Sequence, residues 1–353
     1  MKLLVSCLES SANLHFEQIL NELQQIDENI EICGIFDEKF TKFGKPIYKS
    51  SEFSAMGFVG VVPLILKAKK ALKKMINLAK SCDHVLLIDS PAFNIPLLKS
   101  IKKQRLFCKV SYFVLPQVWA WKKGRAKILD SLCDNLASIW PFENKYYSRS
   151  TFVGHPLIDE ISEFKTNTAK NSIVSFLPGS REAEIKALMP IFRNLAPKIK
   201  EKKLLVVPSN LMNKIDEIYG DVSKFEVVCG TQNALVKSDF AFICSGTATL
   251  EAALIGVPFV LCYKAKAIDV WLARRLVKLN YAGLANIIFD FAGKDPLHTE
   301  LIQNEVSVEN LLHEYQNHDD EYFLQGSKLL RSYLDHGSAK NVAKMIYSSI
   351  NQI

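Results

Sequence analysis

The chain lacks the motifs that mark several common classes of nucleotide-dependent and metal-dependent protein. It contains no Asp-x-Asp pair, no G-x-x-x-x-G-K-[ST] loop and no G-x-G-x-x-G fingerprint. No group of histidines and cysteines has the spacing of metal ligands. These absences disfavour P-loop, nicotinamide and metal-dependent chemistry, and the sequence predicts neither a metal site nor an organic cofactor.

Cysteine pairs and long hydrophobic runs are also missing. The eight cysteines form no C-x-x-C and most lie in apolar runs, which predicts reduced thiols in the core of a cytoplasmic protein. The longest nearly uncharged stretch, Gly57 to Leu66, contains Pro63 and is far shorter than the ~20 residues of a membrane-spanning helix. Met1 to Leu8 is followed at once by Glu9, which is typical of a first strand rather than of a secretory signal. We therefore expect a protein that is not integral to a membrane.

Size and charge fit a globular protein of two domains with an anionic partner. The chain has 353 residues, of which 48% are hydrophobic and 23% are charged, and its net charge is +7. This excess of positive charge is modest, and it suits nucleic acid, an acidic membrane surface or a phosphorylated substrate equally well.

Short apolar runs alternate with longer helical patterns, which predicts parallel sheets built from βαβ units. The strand rhythm restarts after a polar stretch, Asp159 to Asn171, which we interpret as a linker. We expect two doubly wound Rossmann-like domains facing a central cleft, at 1–158 and 172–325, with helices at 326–353 packing back across the domains. The predicted strands are Leu3–Cys7, Ile30–Gly34, Val85–Ile88, Val110–Val114, Leu136–Trp140, Ile173–Leu177, Lys203–Val207, Phe225–Val228, Phe240–Cys244 and Pro258–Tyr263.

A turn between a strand and a helix is the strongest binding signal. The run Phe240–Cys244 ends in Ser245-Gly246-Thr247, and a helical segment, Ala248 to Ile255, follows with Glu251 in its first turn. The free N–H groups and the positive dipole end of such a helix suit a phosphate. The dipole supplies only ~0.3–2 kcal/mol, so other groups must share the binding. Because the Glu251 carboxylate suits ribose hydroxyls, the sequence predicts a nucleotide-diphosphate pocket here.

A similar turn, Pro178-Gly179-Ser180-Arg181, also follows a predicted strand and precedes a helical pattern. Glycine allows close approach of the backbone, and arginine offers a planar fork to a diphosphate. This motif is a weak signal alone, but it favours a diphosphate site when it is combined with Ser245-Gly246-Thr247.

Asp89 is the leading candidate for acid–base chemistry in the first half. It ends a strand, at the edge of an open α/β sheet where ligands bind. A carboxylate there could accept a proton from a nucleophilic hydroxyl, a role worth ~10²–10⁴-fold in rate. The alternative interpretation is that Asp89 only caps the next turn.

Two further groups have both a functional and a structural interpretation. Trp119 and Trp121, followed by basic residues, suit an acyl or sugar surface beside a phosphate, or they pack within a loop. His155, just before the linker, is either a residue of the predicted cleft or a structural histidine.

One segment has the pattern of a membrane-surface helix. The apolar run Phe58–Leu66 is followed by a helical pattern with lysines at 67, 69, 70, 73 and 74. Such a pattern is typical of a helix that lies on an anionic membrane surface. An ordinary amphipathic helix with a solvated lysine face explains it equally well.

Taken together, these segments resemble the lipid-A-disaccharide synthase family, which are inverting glycosyltransferases of bacterial outer-membrane assembly. The resemblance covers nearly the whole chain and keeps the same order of motifs. The motifs are Val118-Trp119-Ala120-Trp121, Pro141-Phe142-Glu143, Val153-Gly154-His155-Pro156, Leu177–Arg181, Ser245–Glu251, Trp271–Lys278 and Glu300–Gln303.

The resemblance implies a GT-B fold and a defined transfer reaction. A 2,3-diacylglucosamine unit would pass from its UDP carrier (UDP-2,3-diacylglucosamine) to the 6-hydroxyl of 2,3-diacylglucosamine 1-phosphate, giving a β-linked disaccharide and UDP. The segment Phe58–Lys74 would contact the inner face of the cytoplasmic membrane, where both lipids must be reached, and no nucleic acid is involved. The UDP ligands implied are Gly179, Ser180, Arg181, Ser245, Gly246, Thr247, Glu251 and Asn286, with Tyr263 and Gln303 nearby.

Two departures from the family pattern affect the catalytic base. The family motif G-E-x-S-G-D is here 8–13, L-E-S-S-A-N, and the family motif P-D-F-N is here 91–94, P-A-F-N, with Ala92 in place of a carboxylate proposed as general base. Three other carboxylates remain as candidates, namely Asp89, Glu9 and Asp83. We favour Asp89.

Two other functions stay open on the sequence alone. One is a different GT-B enzyme, such as a UDP-N-acetylglucosamine 2-epimerase or a transferase with another lipid acceptor. The other, motivated by Ala92, is a membrane-associated protein that binds a UDP-sugar but has lost its base. The sequence also leaves open the acyl-chain length and the oligomeric state, including a homodimer with exchanged C-terminal helices.

Overall fold

The chain folds into two units, each built on its own sheet. The computed structural model describes residues 1–54, 61–264 and 279–351. One unit comprises Met1–Asp159 and the chain from Leu334 onward, and the other comprises Glu160–Tyr333. Two segments singled out in the sequence, Trp271–Lys278 and residues 58–60 of the predicted membrane segment, lie outside the described residues.

The first unit contains a six-stranded parallel sheet with the strand order β2-β1-β3-β4-β5-β6. Its strands are β1 (Lys2–Ser6), β2 (Glu31–Ile35), β3 (His84–Ile88), β4 (Lys109–Phe113), β5 (Asn135–Ser138) and β6 (Ser150–Phe152). The helices along this part of the chain are α1 (Ser10–Ile26), α2 (Ser51–Ser54), α3 (Val61–Ala79), α4 (Pro91–Lys103), α5 (Gly124–Leu132) and α6 (Pro156–Glu160).

The second unit contains another six-stranded parallel sheet, with the strand order β12-β11-β10-β7-β8-β9. Its strands are β7 (Ile173–Leu177), β8 (Lys202–Val206), β9 (Glu226–Val228), β10 (Phe240–Cys244), β11 (Phe259–Tyr263) and β12 (Glu300–Ile302). The helices from here onward are α7 (Glu182–Leu195), α8 (Ile215–Ile218), α9 (Thr231–Lys237), α10 (Thr247–Ile255), α11 (Leu284–Phe291), α12 (Val308–Asn317), α13 (Asp320–Leu334) and α14 (Ser338–Asn351).

The prediction of two doubly wound parallel sheets is confirmed. All ten predicted strands are present, with ends that differ by no more than two residues from the prediction. The central strands are buried apolar runs, because helices cover both faces of a parallel sheet. In the second unit, for example, Phe176 of β7 stacks on Phe242 of β10 and meets the edge of Phe192 from α7, with ring centroids 5.0 and 5.3 Å apart.

The last helix, α14, belongs to the first unit. The carboxylate of Asp159 accepts hydrogen bonds from the N–H groups of Gly337 and Ser338 at 2.8 and 2.9 Å, at the start of α14. Farther along, Nδ2 of Asn135 donates to Oγ of Ser349 at 3.2 Å. These contacts attach the C-terminal segment to the sheet that begins the chain.

The structure also describes the cysteines and tests the helices for a membrane span. All eight cysteines are free thiols, of which seven are buried and one, Cys229, is exposed. None of the helices in the described part of the chain combines the length and apolar character of a membrane span.

Candidate active site

The turn after β10 is shaped to receive an anion. β10 ends at Cys244 and α10 begins at Thr247, so Ser245 and Gly246 form the whole connection. The Ser245 N–H donates to the carbonyl of Cys262 on β11 at 3.1 Å, which holds the turn against the neighbouring strand. Gly246 and Thr247 are exposed, and a Cβ on Gly246 would meet no atom within 4 Å. The N-terminus of α10 therefore faces open space, as a phosphate-binding turn requires.

The turn after β7 lies at the same edge, because β7 and β10 are parallel neighbours in the sheet. Gly179 in this turn has φ +106°, a conformation that favours glycine. A Cβ there would lie 2.8 Å from Oε2 of Glu184 and 3.2 Å from Sγ of Cys244. The backbone conformation therefore favours glycine at this position, and any larger residue would have to displace the end of the Glu184 side chain.

The two turns line one cavity of about 490 Å³. The structure brings six of the predicted UDP ligands to it, namely Gly179, Ser180, Arg181, Ser245, Gly246 and Thr247. Residues after β8 and β9 complete part of the wall, and sequence analysis did not single them out: Pro208, Ser209, Cys229, Gly230 and Thr231. These residues could be found from the topology, because the turns that follow the strands of a parallel sheet all lie at the same edge.

Among the described residues of this cavity wall, Arg181 is the cation. Its side chain is 81% exposed, and its Nη1 lies 2.7 Å from Oε1 of Glu184. This hydrogen bond and the negative charge of Glu184 raise the pKa of Arg181, so the guanidinium stays charged. An ion pair this exposed contributes about 0–1 kcal/mol to stability, which leaves the guanidinium free to turn towards a diphosphate.

Tyr263 and Gln303 end neighbouring strands at the same edge but do not line the cavity. Tyr263 is the last residue of β11 and pairs in register with Ile302, the last residue of β12, which Gln303 follows. In the sheet, β11 and β12 lie on the side of β10 that is away from β7.

Glu251 lies on α10, one turn beyond the cavity wall. Burial raises the pKa of Glu251 to about 7, and the nearby charge of Glu160 adds to this effect. At neutral pH the carboxyl group is therefore divided between acid and carboxylate, and it can donate as well as accept a hydrogen bond.

Asn286, predicted as a UDP ligand, is fully buried and has its amide engaged within the unit. Its Nδ2 donates to the carbonyl of His298 and to Oε1 of Glu300, both at 2.9 Å. Its Oδ1 accepts from the N–H groups of Leu297 at 2.8 Å and His298 at 3.2 Å. The structure gives Asn286 a role in joining α11 to the residues before β12, and it does not bring this side chain to the cavity.

In the first unit, the backbone at Asp89 and Ser90 is strained. The two residues follow β3 with φ values of +48° and +43°, in the left-handed region that few residues other than glycine adopt. Three groups hold the carbonyl and N–H of Asp89: Nδ2 of Asn94 at 2.7 Å, the hydroxyl of Tyr112 at 2.6 Å and the carbonyl of Phe113 at 3.0 Å. Strain that is held in place by several neighbours is typical of functional sites.

A cavity of about 1040 Å³ opens beside this strained turn. Its lining combines apolar residues with polar and charged ones. The lining residues are Leu8, Glu9, Ser10, Ser11, Phe53, Ile65, Ala68, Leu72, Ser90, Pro91, Ala92, Phe93, Trp121 and Arg125.

Glu9 lines this cavity next to Asp89. Oγ of Ser90 donates to Oε1 of Glu9 at 3.4 Å, and Nδ2 of Asn13 holds the Glu9 carbonyl at 2.8 Å. Burial raises the pKa of Asp89, and the negative charge of Glu9 raises it further. The structure therefore brings two of the three candidate bases together.

Asp83, the third candidate base, lies at the opposite edge of the sheet. It precedes β3, whereas Asp89 follows it, and its Oδ2 accepts the N–H of Lys2 at 2.7 Å, at the start of β1. Because ligands bind at the carboxyl edge of such a sheet, the position of Asp83 does not suit a catalytic base.

The position of Trp121 agrees with the functional interpretation, whereas that of Trp119 agrees with the structural one. Trp121 is 44% exposed and lines the cavity of the first unit. Trp119 is buried, and its Nε1 donates to Oε1 of the fully buried Glu143 at 3.3 Å.

His155 has a structural role. It is buried against Trp140, and its Nδ1 accepts the Leu157 N–H. Burial lowers the pKa of His155 to about 3.

Replacing Glu143 with glutamine is expected to remove a pH dependence of stability. Burial raises the pKa of Glu143 from 4.5 to about 8, so the folded protein keeps a proton that the unfolded chain releases. The stability of the wild type therefore falls as pH rises between these two values. Calorimetry should show that the Tm of Glu143→Gln rises relative to the Tm of the wild type as pH increases across this range. A constant difference would contradict the raised pKa.

Comparison with known proteins places the chain among enzymes of one family. A model of the lipid-A-disaccharide synthetase family matches residues 3–342. The chain is 51% identical to the lipid-A-disaccharide synthase of Campylobacter jejuni strain RM1221, over 97% of this chain and 98% of that protein. It is 44% identical to the Helicobacter pylori strain 26695 protein of the same name, over 99% of both.

Similar solved structures bear on the fold alone, since their sequences are only distantly alike. One is the UDP-GlcNAc 2-epimerase of Neisseria meningitidis bound to UDP-GlcNAc, with a TM-score of 0.60, 12% identity and full coverage of both chains. Another is MurG of Acinetobacter baumannii, with a TM-score of 0.60, 10% identity and coverage of 98% of this chain and 99% of that one. The predicted GT-B fold is confirmed. From the family match and the relatives, the chain belongs to the lipid-A-disaccharide synthase family of glycosyltransferases.

Proposed function

We propose that the chain transfers a 2,3-diacylglucosamine unit from UDP-2,3-diacylglucosamine to the 6-hydroxyl of 2,3-diacylglucosamine 1-phosphate, with inversion. The products are the β-1,6-linked lipid A disaccharide 1-phosphate and UDP. The observation that carries this proposal is the meeting of two family motifs, 177–181 and 245–251, at one cavity of the second unit. The acyl groups and the phosphate of the acceptor match the second cavity, which combines an apolar wall with charged groups.

The cavity of the second unit holds the diphosphate of the donor. Backbone N–H groups at the start of α10 and the guanidinium of Arg181 bind the phosphate oxygens without a metal ion in our proposal. These contacts become stronger as UDP leaves, because the leaving group gains negative charge. The residues we assign to UDP are Gly179, Ser180, Arg181, Ser245, Gly246, Thr247, Glu251, Tyr263 and Gln303; Asn286 supports the site through its contacts with the chain before β12.

Asp89 is the general base in this proposal. It removes the proton from the acceptor 6-hydroxyl as that oxygen attacks the anomeric carbon of the donor, and the bond from this carbon to the UDP oxygen breaks. A single displacement on the face opposite UDP inverts the anomeric centre. The raised pKa of Asp89 supports the assignment, because a base works best when its pKa lies near the operating pH.

The segment Phe58–Lys74 places the enzyme on the inner face of the cytoplasmic membrane in our proposal. In the described part of this segment, Ile65 and Leu66 are 48% and 56% exposed, and lysines 69, 70, 73 and 74 are also exposed. Exposed apolar residues beside a lysine face suit an anionic bilayer surface. The same helix lines the acceptor cavity with Ile65, Ala68 and Leu72, so acyl chains could pass from the bilayer to the site.

The proposed function is tested by measuring UDP release from the purified protein in detergent, with the donor alone and with both lipids. The proposal expects release that requires the acceptor. Binding of UDP without acceptor-dependent release would support a protein that has lost its base. Isomerisation of the donor sugar without an acceptor would support an epimerase.

Replacing Glu9 with glutamine is expected to move the acidic limb of the pH–rate profile to lower pH. The negative charge of Glu9 raises the pKa of Asp89, so its removal lets Asp89 ionise at lower pH. The measurement is kcat/KM as a function of pH for the variant and the wild type. Loss of activity at every pH would instead make Glu9 the base.

A further inference from the structure

Arg125 is a half-buried cation with no anionic partner among the residues that the structure describes. It lies in the first turn of α5 and lines the cavity of the first unit. Its guanidinium carbon lies 5.7 Å from the ring centroid of Trp121. Within residues 1–54, 61–264 and 279–351, its side chain makes neither an ion pair nor a hydrogen bond. A partly desolvated guanidinium is more stable beside an anion, so this position favours an anionic ligand.

The charges around Arg125 favour a ligand that has an anionic group next to a neutral polar group. Among the described residues that line this cavity, Arg125 is the cation and Glu9 is the anion. Nζ of Lys122 lies 4.0 Å from the centroid of Trp121, so a second cation contacts the same indole ring. Two positive charges therefore contact the indole ring that lines the cavity.

We infer that Arg125, supported by Lys122 on the Trp121 ring, binds the phosphate monoester of the acceptor. This inference rests on the proposed function and names the phosphate subsite of the same cavity. A planar guanidinium can bind two phosphate oxygens at once, and the indole fixes its orientation.

The chemistry of the acceptor agrees with the other walls of the cavity. In a glucosamine 1-phosphate, the carbons that carry the phosphate and the hydroxymethyl group both adjoin the ring oxygen, whereas the acyl groups leave carbons 2 and 3. A phosphate on Arg125 can therefore hold the 6-hydroxyl near Glu9 and Asp89. The acyl chains are then free to follow the apolar wall of Ile65, Ala68 and Leu72.

The test compares two acceptors, 2,3-diacylglucosamine with and without its 1-phosphate, for the wild type and Arg125→Ala. We expect kcat/KM for the phosphorylated acceptor to fall by about 10- to 100-fold, since hydrogen bonds to charged groups have this effect. We expect kcat/KM for the acceptor without phosphate to change by less than about 2-fold, because it lacks the group that Arg125 binds. Arg125→Lys should recover part of the loss, because lysine keeps the positive charge but lacks the planar guanidinium that binds two phosphate oxygens.

Lys127→Ala is the matched control, since Lys127 is an exposed cation on α5 outside the cavity wall. It should leave both values at the wild-type level. Equal losses for the two acceptors in Arg125→Ala, or no loss for either, would overturn the inference. If the wild type transfers to neither acceptor, the proposed function itself fails, and the inference fails with it.

A lipid headgroup is the other source of a phosphate near Trp121, and vesicles distinguish it. Sedimentation with phosphatidylglycerol and with phosphatidylcholine vesicles should give the same bound fraction for Arg125→Ala and for Lys127→Ala. A loss of binding to phosphatidylglycerol vesicles that is specific to Arg125→Ala, together with equal kinetic losses for both acceptors, would assign Arg125 to the membrane instead.

Discussion

Asp89→Asn is expected to reduce transfer by at least about 10²–10⁴-fold, because the variant lacks the group that takes the acceptor proton. The fold should survive this change. The backbone of residue 89 is held by hydrogen bonds with Asn94, Tyr112 and Phe113. None of these three hydrogen bonds involves the Asp89 carboxylate. Asparagine also tolerates the left-handed conformation better than most residues. The measurement is UDP release with both lipid substrates.

UDP binding provides the control for Asp89→Asn, since the proposed UDP cavity lies in the other unit. Calorimetry should give the wild-type affinity for UDP. Near-normal turnover would remove Asp89 from the mechanism. Asp83→Asn tests the candidate at the other end of the same strand, and it should keep turnover within about 2-fold, because the change lies at the edge opposite the cavity.

Arg181→Ala is expected to weaken UDP binding by about 10- to 100-fold, since a guanidinium donates charge-assisted hydrogen bonds to a diphosphate. The loss has a second cause. Glu184 is only 13% exposed and pairs with Arg181 in the free protein, so the variant leaves this carboxylate unpaired beside the bound anion. Titration calorimetry with UDP measures the effect directly.

Lys186→Ala is the matched control for Arg181. Lys186 is an exposed cation on α7, the helix that follows Arg181; it pairs with Glu182, and it does not line the cavity. Its removal should leave the affinity for UDP unchanged. An equal loss of affinity in both variants would mean that net positive charge attracts UDP, and it would contradict a specific diphosphate contact.

The fold was predictable wherever a strand is a continuous apolar run. Two strands were missed, β6 (Ser150–Phe152) and β12 (Glu300–Ile302), and each has only three residues and lies at an edge of its sheet. Edge strands are covered by fewer neighbours, so their sequences need not be uniformly apolar. A pattern of hydrophobicity therefore gives little signal for such a strand.

A candidate site was predictable from the sequence where its residues lie within a few positions of each other. The turns at Gly179 and Ser245 each carry their signal within a few residues. By contrast, the cavity of the first unit joins Glu9, Ala68 and Arg125, which are far apart in sequence, and only the folded chain brings them together. The direction of the predicted strand between Asp83 and Asp89 already distinguishes the two carboxylates in the sequence, because ligands bind at the carboxyl ends of strands.

The most direct test of the proposed transfer is the structure of the product formed from the two lipid substrates. The product should be isolated, weighed by mass spectrometry and analysed by proton NMR of its anomeric centres. We expect a tetraacyl disaccharide phosphate with a β linkage to the 6-position, as a single displacement requires. An α linkage, or UDP release with no disaccharide, would contradict an inverting transfer assisted by Asp89.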